Sequence, residues 1–223
     1  MEHRFRKKIF VLILLVLSGF AASSAHATPI VLQPADGKDT QLANDILGDD
    51  NWNTLDLIMN WSDNLRSIGL LEFDLTGIPS GLTVNSATLS LFHWGNENAG
   101  ITYSIFRVTS PWDEDMVTFN TAPSIDPTEV ASLTINDNNT GVYRDWDITS
   151  LVAGWMNASY ANYGLWIEET PIQGEGSAYF YSSEQGLSTA PRLTISAVPL
   201  PAAVWLFGSG LLGVLGLRKK ATL

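Results

Sequence analysis

Along the middle of the chain, apolar and polar residues alternate in short runs. Ten stand out: Ile30–Gln33, Leu55–Met59, Ser67–Leu75, Ala87–Trp94, Ile101–Val108, Val130–Ile135, Val142–Ile148, Tyr163–Glu168, Ala178–Ser182 and Arg192–Ser196. A period of two is the signature of a strand, whose successive side chains leave on opposite faces. Turn formers separate the runs, among them Asp36-Gly37, Gly48-Asp49-Asp50, Pro79-Ser80-Gly81, Asn136 to Gly141 and Gly174 to Gly176. Many short strands at this spacing predict an all-β sandwich. One stretch breaks the period. In Thr149 to Asn157 the apolar Leu151, Val152, Trp155 and Met156 fall at helical spacing, with Asp147, Thr149 or Ser150 available as a cap. One short helix packed on the sandwich is therefore expected.

The alternation also sorts side chains by face. In Ala87–Trp94 the residues Ala87, Leu89, Leu91 and His93 share one side, and Thr88, Ser90, Phe92 and Trp94 the other. His93 is thus placed on the core side. Leu71, Phe73 and Leu75 form the core face of a central strand. Large aromatics dominate cores, so Trp112, Trp146 and Trp155 are expected to seal the sandwich.

Both ends of the chain carry a different pattern. At the N-terminus, His3, Arg4, Arg6, Lys7 and Lys8 precede an apolar run, Ile9 to Ala22, and the small-x-small site Ala25-His26-Ala27. This is the layout of a secretory signal peptide over residues 1–27, a helix cut by signal peptidase. At the C-terminus, Ala202 to Leu217 is free of charge, and Arg218, Lys219 and Lys220 follow it. As a helix this run is about 24 Å long, short for a permanent span but enough for a transient one, with the basic tail held on the cytoplasmic side. With Pro199-Leu200-Pro201 before it, the segment 198–220 resembles the PEP-CTERM sorting signal, which exosortases recognise in Gram-negative bacteria. The name-giving tripeptide is Pro-Glu-Pro, and leucine stands here at its centre. The resemblance implies export, membrane anchoring through the C-terminal helix, and sorting to the cell surface or extracellular matrix.

Between these signals lie about 170 residues, enough for one domain with its own core. No cysteine occurs in the chain, so an exported domain here is held by packing, and by metal if one is bound. The whole chain has a net charge of −11. From Thr28 to Val198, however, 22 Asp and Glu face only five Lys and Arg, a net charge of −17. Such a surface disfavours nucleic acid, whose binding depends on neutralising phosphates, and it disfavours polyanionic glycans. It favours divalent cations and neutral sugars.

Candidate chemistry is sparse. Past the signal peptide, His93 is the only histidine. Triad catalysis would rest on one core-facing imidazole, and a histidine-rich zinc site lacks ligands. Asp113-Glu114-Asp115 is the densest acid run and is read as a solvated loop. The expectation is a protein that is not an enzyme. For calcium, which takes six to eight oxygens from acidic loops, the candidates are Asp36, Asp39, Asp45, Asp49 and Asp50 in a loop-rich N-terminal stretch. For sugar, which stacks on aromatics flanked by acids and amides, they are Trp52 beside Asn51 and Asn53, Trp61 beside Asn60 and Asp63, and Phe92 with Trp94 beside Asn96 and Asn98.

Several segments, taken in order, resemble the DNRLRE domain, a family that includes alginate-binding carbohydrate-binding modules. They are Asp63-Asn-Leu-Arg-Ser-Ile-Gly-Leu-Leu-Glu-Phe-Asp-Leu75, Asn85-Ser-Ala-Thr-Leu-Ser-Leu91, Trp112-Asp-Glu114, Val117-Thr-Phe-Asn120, Asp147 to Trp155, Asn162-Tyr-Gly-Leu165, Tyr181-Ser-Ser-Glu184 and Pro191-Arg-Leu-Thr194. The resemblance implies a jelly-roll-type antiparallel β-sandwich over residues 28–197 and a non-catalytic, polysaccharide-binding module. It departs from the family in its thin set of cations (Lys38, Arg66, Arg107, Arg144 and Arg192) and in Phe119, where tryptophan is usual. The alternatives are a purely structural surface or matrix protein and, more remotely, a carbohydrate-active enzyme.

Overall fold

A computed structural model describes residues 27–34, 38–45, 48–62, 65–169 and 176–199. The expected signal-peptide helix, the apolar run 202–217, the basic tail Arg218 to Lys220, Pro201 and Asp36 lie outside the described residues. Within them no helix is long and apolar enough to cross a membrane.

Among the described residues twelve strands run β1 Ile30–Leu32, β2 Asp39–Asp45, β3 Gly48–Trp52, β4 Asp56–Ser62, β5 Leu65–Leu71, β6 Leu82–Glu97, β7 Ile101–Val108, β8 Ile125–Ile135, β9 Val142–Asp147, β10 Leu165–Glu169, β11 Gly176–Tyr181 and β12 Arg192–Pro199. Every pairing among them is antiparallel. The order β1-β12-β6-β11-β4-β5-β10-β7-β8 forms one curled sheet, with β9 on β6, β2 on β5 and β3 on β2. Curling folds the apolar faces onto each other, the arrangement of a β-sandwich.

The alternation of the sequence explains this core. Ala87, Leu89, Leu91 and His93 are all buried, and they join Leu57, Met59, Leu71, Phe73, Ile105, Trp146, Ile167, Phe180 and Leu193 between the sheet halves. The helix α1, Thr149–Met156, closes one side and buries Leu151, Val152 and Trp155. Its entry is fixed by Asp147, whose carboxylate accepts from the Thr149 N–H at 2.9 Å and its O–H at 2.6 Å. The Thr149 hydroxyl in turn accepts from the Ala87 N–H at 2.9 Å, tying the helix to β6.

A second apolar cluster lies on the outer side of β2, β5, β10 and β7. Leu42, Ile68, Leu70, Phe106, Val108 and Trp166 build it, and Trp112 and Val117 cover it from the connection between β7 and β8. The strands beneath are therefore covered on both faces: β5 from Ser67 to Leu71 and all of β10 are buried. Gly164 lets β10 come in so close. Its φ is +85°, and a Cβ there would lie 2.1 Å from the Leu71 carbonyl oxygen.

Three expectations change. The acidic stretch 39–52, expected to be loop-rich, is the hairpin β2–β3, with Asn44 opposite Asp49 and Asp45 opposite Gly48. Asp and Asn are poor strand formers, but pairing of all seven β2 residues with β5 overrides that preference. Trp112 belongs to the outer cluster, whereas Trp146 and Trp155 seal the main core. Finally, Glu114 is not a solvated loop acid. The turn closed by the Val117 N–H on the Asp113 carbonyl at 2.9 Å leaves Asp113 and Asp115 outside and turns Glu114 inward, 7% exposed.

Candidate functional site

The outward side of β9, β6 and β11 carries five aromatic rings. On β6, Phe92 stands directly opposite Tyr143 of β9. Their centroids are 5.2 Å apart, edge to face. On its other flank Phe92 lies nearly parallel to Tyr181 of β11, at 5.7 Å and 7°. Trp94 packs on the same Tyr181 at 5.7 Å and 18°, and on Tyr179 at 5.1 Å. These separations suit aromatic pairs.

A bulge brings Trp94 into the group. The β6–β11 register steps from His93 opposite Phe180 to Gly95 opposite Tyr179, so two residues of β6 advance against one of β11. Bulges of this kind re-aim side chains. Gly95 completes the arrangement, because a Cβ there would meet the Tyr179 ring at 3.2 Å.

Polar groups rim the rings. Asp56 stands opposite Tyr181 on β4, and burial raises its carboxyl above its ordinary range, against the lowering effect of the Trp94 indole N–H beside it. Asp145 accepts from the Ser90 hydroxyl at 2.6 Å. The Tyr143 hydroxyl donates to the Ser188 carbonyl at 2.9 Å, and the Arg192 guanidinium lies 4.4 Å from the Tyr143 ring centroid. Burial, then a hydrogen bond with Glu97, raises the Tyr179 phenol. Exposed apolar side chains gather at the same end of the sheet. Trp94 keeps 37% of its surface, Val142 on β9 39%, Leu55 just before β4 52% and Leu187 beside Ser188 78%.

Phe92 and Trp94 thus come together as the sequence suggests, whereas Trp52 and Trp61 are drawn elsewhere. Half-buried Trp52 closes the β2–β3 hairpin opposite Gln41. Its neighbour Asn51 spends its amide donors on the carbonyls of Glu114 and of Val117, the latter at 2.8 Å. Trp61 has the Arg66 guanidinium 5.0 Å from its centroid, and Arg66 also reaches Phe119 and pairs with Glu168. The three tyrosines of the aromatic face were missed. Tyr143, Tyr179 and Tyr181 occupy outward positions of alternating runs, and that phase was the signal available.

The acids follow a similar division. Asp39 is fully buried at the start of β2 and meets Glu114 and Glu184, all three carboxylates lying within 4.8 Å of one another. The Asp39 N–H donates to Glu114 at 3.0 Å, and the Ser183 N–H donates to the Asp39 carboxylate at 2.8 Å. Burial pushes Asp39 up to about 6 and Glu114 up to about 7. Among the described residues this is the group whose oxygens could close on a cation. Asp50 is half-buried on β3, and the backbone register pairs Asp45 with Gly48 and Asn44 with Asp49 at the turn end of the hairpin. Asp36 and the side chains of Asp45 and Asp49 lie outside the described residues.

A family profile places the domain among binding modules. The chain belongs to carbohydrate-binding module family 96, whose profile matches residues 37–197. Residues 197–220 match the PEP-CTERM protein-sorting motif, which indicates export and sorting to the cell envelope. No curated protein matches the chain.

Proposed function

We propose that the protein is an exported, non-catalytic, polysaccharide-binding protein of the cell surface or extracellular matrix, and that the aromatic face of β9, β6 and β11 is its sugar seat. The observation that carries the reading is the ring group Phe92, Trp94, Tyr143, Tyr179 and Tyr181, held rigid by cross-strand contacts and left partly open. The C–H face of a pyranose packs on such rings, and its hydroxyls pair with acids and amides at the rim. Trp94, Tyr181 and Asp56 supply both kinds of contact. Signal peptidase releases the chain at Ala25-His26-Ala27, the apolar run 202–217 holds it in the membrane, and an exosortase acts on the motif around Pro199 and Pro201.

The route of the chain supports display outward. β12 ends at Pro199, paired with Leu82 at the start of β6. Trp94 is twelve residues further along that strand, about 40 Å away at strand rise. A tether leaving at Pro199 holds the aromatic face at the far end of the sheet.

Calorimetry of the full-length protein against a polysaccharide panel tests the reading. Saturable binding to at least one glycan is expected, weakened about tenfold or more by Trp94→Ala. Self-association through the aromatic face, with no glycan bound, would instead make the protein a structural matrix component.

A further inference from the structure

We infer that the aromatic face selects neutral polysaccharides and rejects polyuronates, an inference that rests on the sugar-binding reading above. Charge placement carries it. Of the five cations between the two terminal signals, four are held by carboxylates: Lys38 by Glu72 at 3.2 Å, Arg107 by Asp126 at 2.8 Å, Arg144 by Asp137 at 2.5 Å, and Arg66 by Glu168. None of these four residues belongs to the ring group. The cation beside the rings is Arg192, and its guanidinium is already engaged, lying against Tyr143 and donating to the Ser188 carbonyl at 2.8 Å.

Three carboxylates share the outward side of these strands: Asp56 opposite Tyr181, Asp145 opposite Ser90 and accepting from its hydroxyl, and Glu97 opposite Ser177. A polyuronate places one carboxylate on every sugar. Laid across β9, β6 and β11, it would bring several negative charges onto a face with one occupied guanidinium and three acids, in a domain of net charge −17. Like-charge juxtaposition across an interface rejects a partner, even where the stacking surface fits. A neutral chain meets the same rings without that repulsion, and the three carboxylates become acceptors for its hydroxyls.

Ionic strength separates the two classes. The full-length protein in mild detergent is tested by biolayer interferometry on an immobilised neutral β-glucan, a galactomannan and a polyuronate, at about 20 and about 300 mM NaCl, where screening differs severalfold. The expected result is binding to a neutral glycan, with a Kd that moves less than about twofold between the two salts and rises about tenfold or more in Trp94→Ala. The polyuronate binds at least about tenfold more weakly, and its weak binding strengthens as salt screens the acids. Polyuronate binding as strong as that of the neutral glycans, falling with salt and lost in Arg192→Gln, overturns the inference and leaves the sugar-binding reading intact. Failure of all three glycans to bind the wild type overturns that reading itself.

Discussion

Over β2, β5, β10 and β7 the sheet presents Phe106 and Trp166 outward, and the connection between β7 and β8 returns to lay Trp112 and Val117 on them. Over β9, β6 and β11 it presents Phe92, Trp94, Tyr143, Tyr179 and Tyr181 outward, and Trp94 keeps 37% of its surface. Aromatic content does not distinguish the two faces. What separates them is the covering segment and the bonds that pin it. The Trp112 indole N–H donates to the Tyr163 carbonyl at 2.9 Å, Asn51 grips Glu114 and Val117, and Lys38 reaches the Trp112 carbonyl at 3.3 Å. The covered rings contribute to stability, and the open rings are available to a ligand.

Truncating one ring on each face tests that division most severely. Trp112→Ala removes a buried indole and orphans the Tyr163 carbonyl, and it should cost about 3–4 kcal/mol in chemical denaturation while leaving glycan affinity unchanged in the folded fraction. Trp94→Ala should cost less than about 1 kcal/mol of stability and still lose the sugar. Equal stability losses from the two would dissolve the contrast.

The pin beneath the covered face should respond to pH. Asp39 and Glu114 hold protons more tightly folded than unfolded, with values raised to about 6 and about 7. Their contribution is full below about pH 4 and is lost as pH rises through those values, so stability measured in chelator should fall by up to roughly 4 kcal/mol from pH 5 to pH 8. Glu114→Gln, which still accepts from the Asp39 N–H, should remove most of that slope. A flat wild-type profile would contradict the burial argument. Repeating the titration in millimolar calcium checks the calcium expectation, since a cation seated on the trio would flatten the slope.

Gly95→Val gives the smallest effect. Its side chain crowds the Tyr179 ring across the bulge, and a loss of glycan affinity of about threefold is expected, with stability moving by less than about 1 kcal/mol. Unchanged affinity would show that the exact seat of Tyr179 does not matter to the ligand.

Much of the sandwich was legible from period two alone. β7 matches its run end to end, and His93 lies on the core face that alternation assigned to it. The hairpin β2–β3 was not legible, because Asp, Asn and Gly mimic a loop and its partner strand is not local in sequence. Glu114 was misread for a related reason. In Asp113-Glu114-Asp115 all three residues look alike, and only the turn geometry and the presence of Asp39 select which one is buried. At the candidate site, Phe92 and Trp94 were visible as neighbours on one strand, whereas their tyrosine partners come from β9 and β11, some 50 to 90 residues further along the chain.

The sequence by itself determined what is local and repetitive: the strand period, the short helix, the acidic balance and the C-terminal sorting motif. These depend on neighbours a few residues away, or on composition. Only the tertiary structure decided which aromatic residues are covered and which acids meet. It also decided that a bulge at Trp94 and an empty Cβ position at Gly95 assemble five rings from three strands. Those outcomes depend on pairings between distant strands, whose register is set by the packing of the whole sheet.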